Sequence, residues 1–150
     1  MTTLPLAQTV LPAGQWSGEA EICELSYDDR FLRRKRLETG AGRPFIVDLA
    51  HTTSLNDGDA LLLEDGGRVR VRAAAEALLE VSGPCLTRLA WHIGNRHTPC
   101  QIEPDRLLIQ RDHVIADMLD KIGARIREVV EPFTPEGGAY GHGRTHSHAH

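Results

Sequence analysis

Histidines are concentrated at the C-terminal end of this sequence. Of eight histidines in 150 residues, four lie within the last nine positions: His142, His146, His148 and His150. Neutral imidazole suits Ni(II), Cu(II) and Zn(II), and a flexible chain with histidine at nearly every second position can turn several nitrogens toward one ion. The composition therefore predicts a metal-binding tail, although it does not select the metal.

Two further histidines lie where predicted helices end or begin. His97 follows Gly94-Asn95-Arg96, in which Gly94-Asn95 is a predicted helix stop, so its side chain can project from an ordered end. One imidazole holds an ion weakly, but a symmetric homodimer would bring two copies of His97 together if its two-fold axis passed close to this loop. His113 follows Asp112, a predicted helix N-cap. Both are candidate ligands, and a purely structural role stays open for each.

The three cysteines, Cys23, Cys85 and Cys100, are too few and too scattered for a disulfide framework or a paired zinc site. We expect each to be a small buried residue, because free cysteine is among the most buried residue types. Cys100 lies three positions after His97, which leaves open a role near a metal.

The rest of the composition argues against several classes of function. The sequence has no HExxH, GxSxG or GxxxxGK[ST] motif, so we predict that it is not an enzyme. A formal net charge of -4 is not that of a general nucleic-acid binder. There is no apolar run of membrane-spanning length and no basic leader segment. We therefore predict a cytoplasmic protein that binds neither membrane nor nucleic acid.

The first half of the chain is predicted to be β structure. Ala60 to Glu64 and the alternating Arg68 to Arg72 form a predicted hairpin around Asp65-Gly66-Gly67. Further strands are predicted at Ile22 to Leu25, Phe31 to Leu37 and Pro44 to Leu49, and His51 is placed in a loop. The basic run from Arg33 to Arg36 is predicted to be solvated along a strand, with a protein-docking or RNA-docking patch as the alternative.

In the second half of the chain, the sequence pattern predicts six elements in the order strand, helix, strand, strand, helix, strand. The first helix buries Leu86, Leu89, Ala90 and Ile93, and the second buries Val114, Ile115, Met118, Leu119 and Ile122 before it ends at Gly123. The four strands are Glu76 to Val81, Cys100 to Ile102, Leu107 to Gln110 and Arg125 to Val130. This order is typical of a ferredoxin-like βαββαβ domain.

The predicted fold is therefore α+β, with a small all-β N-terminal domain, a ferredoxin-like domain and a disordered histidine-containing tail. The predicted boundaries are 1–73 for a peptide- or partner-binding domain, 76–133 for a metal-binding domain and 134–150 for the tail. A short linker is predicted around Ala73-Ala74-Ala75.

Three segments of the second half resemble the UreE family of urease accessory proteins. They are His92 to Ile102, Asp112 to Leu119, and Pro132-Phe133 with Pro135 to Tyr140, and a thinner match covers Leu55 to Leu61. The resemblance implies a homodimer that binds Ni(II) at its interface through His97 of both chains. It also implies delivery of nickel to the urease apoprotein complex through the urease accessory GTPase.

The same resemblance implies further ligands. His113 matches a second metal-binding histidine of the family, and His142 is the best additional candidate because it closely follows the Gly-Ala-Tyr segment. Arg111 stands where some members carry another histidine. Zn(II) and Cu(II) suit the same ligands and should also bind in vitro.

Two other functions fit the sequence. A metal buffer or storage protein would depend on the tail and not on His97. A docking module would use the basic strand to bind protein or RNA, with incidental metal binding.

Overall fold

The computed structural model describes residues 3–137, in which there are ten strands, two α-helices and one short 3-10 helix. The chain divides after Ala74 into two compact units, and each has its own buried apolar cluster. Within the described residues, neither helix is long and apolar enough to cross a membrane.

The first unit is a six-stranded mixed sheet, as expected for an all-β domain. Its strands are β1 (Leu6–Leu11), β2 (Glu21–Leu25), β3 (Phe31–Glu38), β4 (Pro44–Ser54), β5 (Ala60–Leu63) and β6 (Arg68–Ala73), with the 3-10 helix at Asp28–Arg30. Their order in the sheet is β2-β6-β5-β1-β4-β3. The predicted hairpin is confirmed, since β5 pairs antiparallel with β6. Its turn has Gly66 at a φ of 90°, and the Asp65 carboxylate accepts the Gly67 N–H at 2.8 Å.

Two features of the first unit correct the prediction. β1 was not among the predicted strands, and it pairs with segments far along the chain, Leu6 opposite Ile46 and Ala7 opposite Leu63. His51 lies in β4 and not in a loop. It is exposed because it lies where the pairing of β4 with β3 shifts register.

The basic run lies on β3, which is the edge strand of this sheet. Arg33, Arg34, Lys35 and Arg36 are all exposed, whereas Leu32 and Leu37 are both buried. Two residues five positions apart normally point to opposite faces of a strand. The register shift between Leu32 and Arg34 restores both to the core.

The second unit confirms the predicted ferredoxin-like topology. Its elements are β7 (Ala75–Ser82), α1 (Leu86–Asn95), β8 (Gln101–Ile102), β9 (Leu107–Gln110), α2 (His113–Lys121) and β10 (Arg125–Pro132). The sheet order β10-β7-β9-β8 places the first and third strands in the centre, with every pair antiparallel. Leu89 and Ile93 of α1 and Ile115 and Leu119 of α2 pack into one cluster with β7 and β9.

The buried face of α2 is narrower than predicted. Val114 and Ile122 are 50% and 38% exposed. Ile115 and Leu119 have the i, i+4 spacing that keeps both on the sheet side, whereas Val114 lies about 100° around the helix from Ile115. Ile122 is the C-cap and so lies outside the helix.

We propose that the two units fold independently, as the predicted boundaries imply. The predicted three-alanine linker is shorter in the structure, because Ala73 ends β6, Ala75 begins β7, and the N–H of Ala74 donates to Leu25 at 2.9 Å. A protein of residues 75–150 is expected to show helical circular dichroism and one cooperative thermal transition. A gradual transition in this fragment, with dye-accessible apolar surface, would contradict the proposal.

Candidate metal centre

The end of α1 holds His97 in an unusual backbone conformation. The N–H of His97 donates to Gly94 at 2.9 Å and the N–H of Thr98 donates to Ile93 at 3.4 Å. These two bonds form a Schellman motif, in which His97 is the residue that adopts left-handed geometry. Its φ is 59°, and among the described non-glycine residues it alone has a positive φ. The predicted end of the helix at Gly94-Asn95 is confirmed, since α1 ends at Asn95, and the left-handed reversal follows two residues later at His97.

The end of α2 shows the same motif with the usual residue. Gly123 donates to Asp120 at 3.1 Å and Ala124 donates to Leu119 at 3.0 Å, with Gly123 at a φ of 92°. Glycine has no Cβ and adopts this conformation without strain, whereas another residue incurs about 1 kcal/mol or more. The same unit thus ends one helix with glycine and the other with an exposed histidine. A histidine kept at a strained position is a candidate for a chemical role.

His113 is placed as the sequence predicted, at the start of α2. Asp112 is the N-cap, and its carboxylate accepts the N–H groups of Val114 at 2.9 Å and Ile115 at 3.2 Å. His113 is exposed and lines a shallow groove that includes Arg111 and Glu128. Its imidazole is accessible to solvent and does not provide the cap.

The topology brings His97 and His113 to the same end of the second unit. Because β7 and β9 are antiparallel, α1 ends and α2 begins at one end of the sheet. β10 is antiparallel to β7, so the described chain also leaves the sheet at this end. The N–H of Glu136 donates to the carbonyl of Cys100 at 2.9 Å, three residues from His97. The C-terminal segment therefore begins close to the two ordered candidate ligands.

The cysteines match the expectation only in part. Cys23 is buried, Cys100 is partly buried and Cys85 is exposed, which corrects the prediction for Cys85 at the solvated start of α1. Burial, together with the charge of Glu136, raises the pKa of the Cys100 thiol to about 11. In the absence of a metal ion, Cys100 is therefore protonated at neutral pH.

Sequence reasoning missed two exposed apolar residues of the second unit. Trp91, in the last two turns of α1, is 63% exposed, and its ring meets that of His92 edge-on at 5.1 Å between centroids. Ile102 on the edge strand β8 is 52% exposed. Trp91 lies outside the apolar spacing of Leu86, Leu89, Ala90 and Ile93. That mismatch was the available signal that the Trp91 side chain is not part of the buried face of α1.

The four tail histidines, His142, His146, His148 and His150, lie outside the described residues. Within residues 3–137 there is no group of three or more His, Cys, Asp or Glu side chains arranged to hold a metal ion. The ordered candidates in one chain are thus His97 and His113.

Comparison with known proteins covers the whole chain. Residues 7–74 match the family model of the UreE urease accessory protein N-terminal domain, and residues 73–150 match that of the C-terminal domain. A urease accessory protein UreE from Ruegeria pomeroyi is 69% identical over 98% of this chain and 99% of its own length. A urease accessory protein UreE from Cereibacter sphaeroides is 61% identical over 100% of this chain and 82% of its own length. One from Rhodobacter capsulatus is 57% identical over 100% of this chain and 96% of its own length. The chain therefore belongs to the UreE family of urease accessory proteins.

Proposed function

We propose that this protein is a nickel metallochaperone that carries Ni(II) for assembly of the urease active site. The observation that carries the proposal is the exposed His97, held at the left-handed position of a helix cap in a chain of the UreE family. His97 is exposed to solvent, and the Schellman hydrogen bonds fix the backbone that carries its imidazole. Such a ligand needs little ordering when it binds.

We propose that the site is completed by a second copy of the chain. Two His97 imidazoles facing each other across a two-fold axis would share one ion, with His113 and the tail histidines His142, His146, His148 and His150 as further ligands. The exposed Trp91 on the same helix supports this arrangement, because burial of such a side chain contributes to a dimer contact. Gly94 also supports it. It is exposed, and a Cβ built there meets nothing within 4 Å, so close approach by another molecule would explain glycine at a helical position.

A site of shared neutral imidazoles suits a carrier. Ligands can be exchanged one nitrogen at a time, so the ion can pass to an acceptor without being released into water. We propose that the acceptors are the urease accessory GTPase and, through it, the urease apoprotein complex in the cytoplasm. Nickel is the cargo, and the protein performs no catalysis of its own. Zn(II) and Cu(II) should also bind in vitro, so selection of nickel depends on availability and on the partner.

Calorimetric titration with nickel tests the proposal. In a protein that ends at Gly137, His97→Ala is expected to abolish tight binding, because each dimer loses both interface imidazoles at once. The same substitution in the full chain should leave weaker binding by the tail. Sedimentation should show that both variants remain dimers, since one exposed imidazole contributes little to apolar burial. Unchanged affinity of the shortened His97→Ala protein would refute the site. A full-length His97→Ala protein that binds as tightly as the parent, with binding lost on truncation at Gly137, would favour a tail-based metal buffer.

A further inference from the structure

Strand β6 carries a row of arginines on the face of the first sheet that points away from the core. Arg68, Arg70 and Arg72 alternate along the strand with buried residues. Because β6 lies between β2 and β5, this β6 arginine row is flanked on both sides. Its neighbours in register include Ile22 and Leu62, which are partly buried. The row is therefore a basic stripe with apolar edges.

Only one arginine of the row has an ion-pair partner among residues 3–137. Arg72 pairs with Glu24 at 3.2 Å. Within the same residues, the side chains of Arg68 and Arg70 have neither an ion pair nor a hydrogen-bond acceptor. The Nε of Arg68 is moreover buried without an acceptor. Since buried polar groups are nearly always hydrogen-bonded, this guanidinium points to a partner outside the chain.

The loop between β1 and β2 holds Arg68 in a fixed orientation. The Cζ of Arg68 lies 6.0 Å from the ring centroid of Trp16, and Nε1 of Trp16 donates to the carbonyl of Gly58 at 3.0 Å. A Cβ built on Gly18 would lie 2.6 Å from Nη2 of Arg68, and Gly18 has a φ of 103°. Glycine thus lets the loop backbone approach the guanidinium closely. The charge is oriented in advance, without a counterion from the described chain.

We propose that Arg68 and Arg70 bind two carboxylates in an extended acidic segment of a partner protein. A planar guanidinium can donate two parallel hydrogen bonds to one carboxylate. Two positions along a strand span roughly 6.7 Å, which is also the repeat of side chains on one face of an extended segment. Acidic residues at alternate positions therefore match the two arginines. This contact lies in the first unit and does not depend on nickel.

Carboxylates at both ends of the β6 arginine row favour a short acidic segment over a long polyanion. Glu24 lies beside Arg72 at one end, and Glu64 in the β5–β6 turn precedes Arg68 at the other. Both would repel the phosphates of a nucleic acid that continued along the strand, whereas a segment with two acidic residues ends before it reaches them. The formal net charge of -4 acts in the same direction.

The test is binding of a capped peptide, Glu-Ser-Glu-Ser-Glu, at low salt. Binding is followed by the fluorescence of Trp16 in a Trp91→Phe background, in which Trp16 is the only remaining tryptophan. Arg68→Gln and Arg70→Gln should each weaken binding by about tenfold, because each removes a charged hydrogen-bond donor. The matched control is Arg72→Gln, which makes the same change of charge on the same face. Because Arg72 already has a counterion in Glu24, its loss should change affinity by less than about twofold.

Two further probes have the same charge as this peptide. A capped Glu-Glu-Glu-Ser-Ser peptide tests the alternate spacing and should bind more weakly. A single-stranded tetranucleotide without a terminal phosphate tests nucleic acid and should also bind more weakly. Circular dichroism checks that the variants fold. If Arg68→Gln does not fold, the exposed Arg70 and Arg72 decide the test by themselves.

Weakened binding in Arg68→Gln and Arg70→Gln, with little change in Arg72→Gln, would support the site. Absence of binding by the parent, or an equal loss in all three variants, would overturn it. Equal affinity for the two peptides would also overturn it, since the spacing would then not matter. Tighter binding of the tetranucleotide would replace the proposal with a nucleic-acid contact. Nickel titration of Arg68→Gln should match the parent, so failure here leaves the metal site intact.

Discussion

His97→Gly is expected to stabilise the second unit while it abolishes tight nickel binding. His97 adopts a φ of 59° at the position where Gly123 stands in the matching cap of α2. Glycine would relieve the Cβ strain, which we expect to raise the unfolding free energy by about 1 kcal/mol. In a domain of this size that corresponds to a rise in Tm of roughly 4–8 °C. The substitution also removes the imidazole that we propose as a nickel ligand.

Two variants serve as controls. His97→Ala should lose nickel to the same extent without the gain in Tm, because alanine retains a Cβ in the left-handed region. Gly123→Ala should lower the unfolding free energy by about 1 kcal/mol and leave nickel binding intact. Differential scanning calorimetry on metal-free protein measures the change in Tm, and titration with nickel measures the loss of binding. Equal Tm values for His97→Gly and His97→Ala would show that the conformation of His97 carries no strain.

Replacing Arg106 is expected to destabilise the second unit. Its guanidinium is paired with Glu80 at 2.9 Å, Glu103 at 3.0 Å and Glu131 at 2.7 Å, and its side chain is 22% exposed. Arg106→Met leaves three carboxylates close together without their shared cation. We expect a loss of about 2 kcal/mol at neutral pH, after discounting for solvent screening. The control is Arg127→Met, since Arg127 is 71% exposed and pairs only with Glu80 within the described residues.

The Arg106 network also predicts an acid dependence. Hydrogen bonds from Arg127 and Arg106 lower the pKa of Glu80, and those from Arg106 lower the pKa of Glu131. A lowered carboxyl pKa contributes stability that is fully present above the unfolded value of about 4.5 and is lost as the pH falls through the folded value. The parent should therefore lose stability below about pH 4.5 more steeply than Arg106→Met. Urea unfolding at pH 7 and pH 3 measures the unfolding free energy of both proteins. An equal loss in the parent and in Arg106→Met would contradict the prediction.

The elements that the sequence predicted correctly are those with local signals. The β5–β6 hairpin combines alternating apolar residues with glycines in its turn, and Asp112 and Gly123 flank α2 and mark its two ends. β1 was missed because its partner strands lie about 40 and 55 residues away along the chain, and local sequence periodicity does not indicate such pairings. The end of α1 was predicted from Gly94-Asn95, but the left-handed conformation at His97 was not, because glycine is the usual residue at that position of a helix cap.

The candidate site was predictable only as a set of residue types. The sequence identified His97 and His113 as candidates. That both lie at the same end of the sheet depends on strand pairings, which the composition does not reveal. The contact between Gln101 of β8 and Thr134 joins positions 33 residues apart, and Thr134 lies after the last strand. Trp91 gave a usable signal, since its position violates the apolar spacing of its helix. Contacts made by loops after the last strand leave no periodic pattern.

The edge strand β3 bears on how the protein behaves at high concentration. An exposed strand edge is a template on which an identical chain can add, and such growth ends in filaments. Two β3 strands brought edge to edge would set Arg33, Arg34, Lys35 and Arg36 against the same four cations of the neighbour. Repulsion between these charges opposes edge-to-edge association of two sheets, and this repulsion weakens as salt is added. Arg34, Lys35 and Arg36 each pair with a carboxylate of the same chain, which reduces this repulsion but leaves Arg33 without an ion pair among the described residues. We therefore expect aggregation through this edge to appear first at high ionic strength.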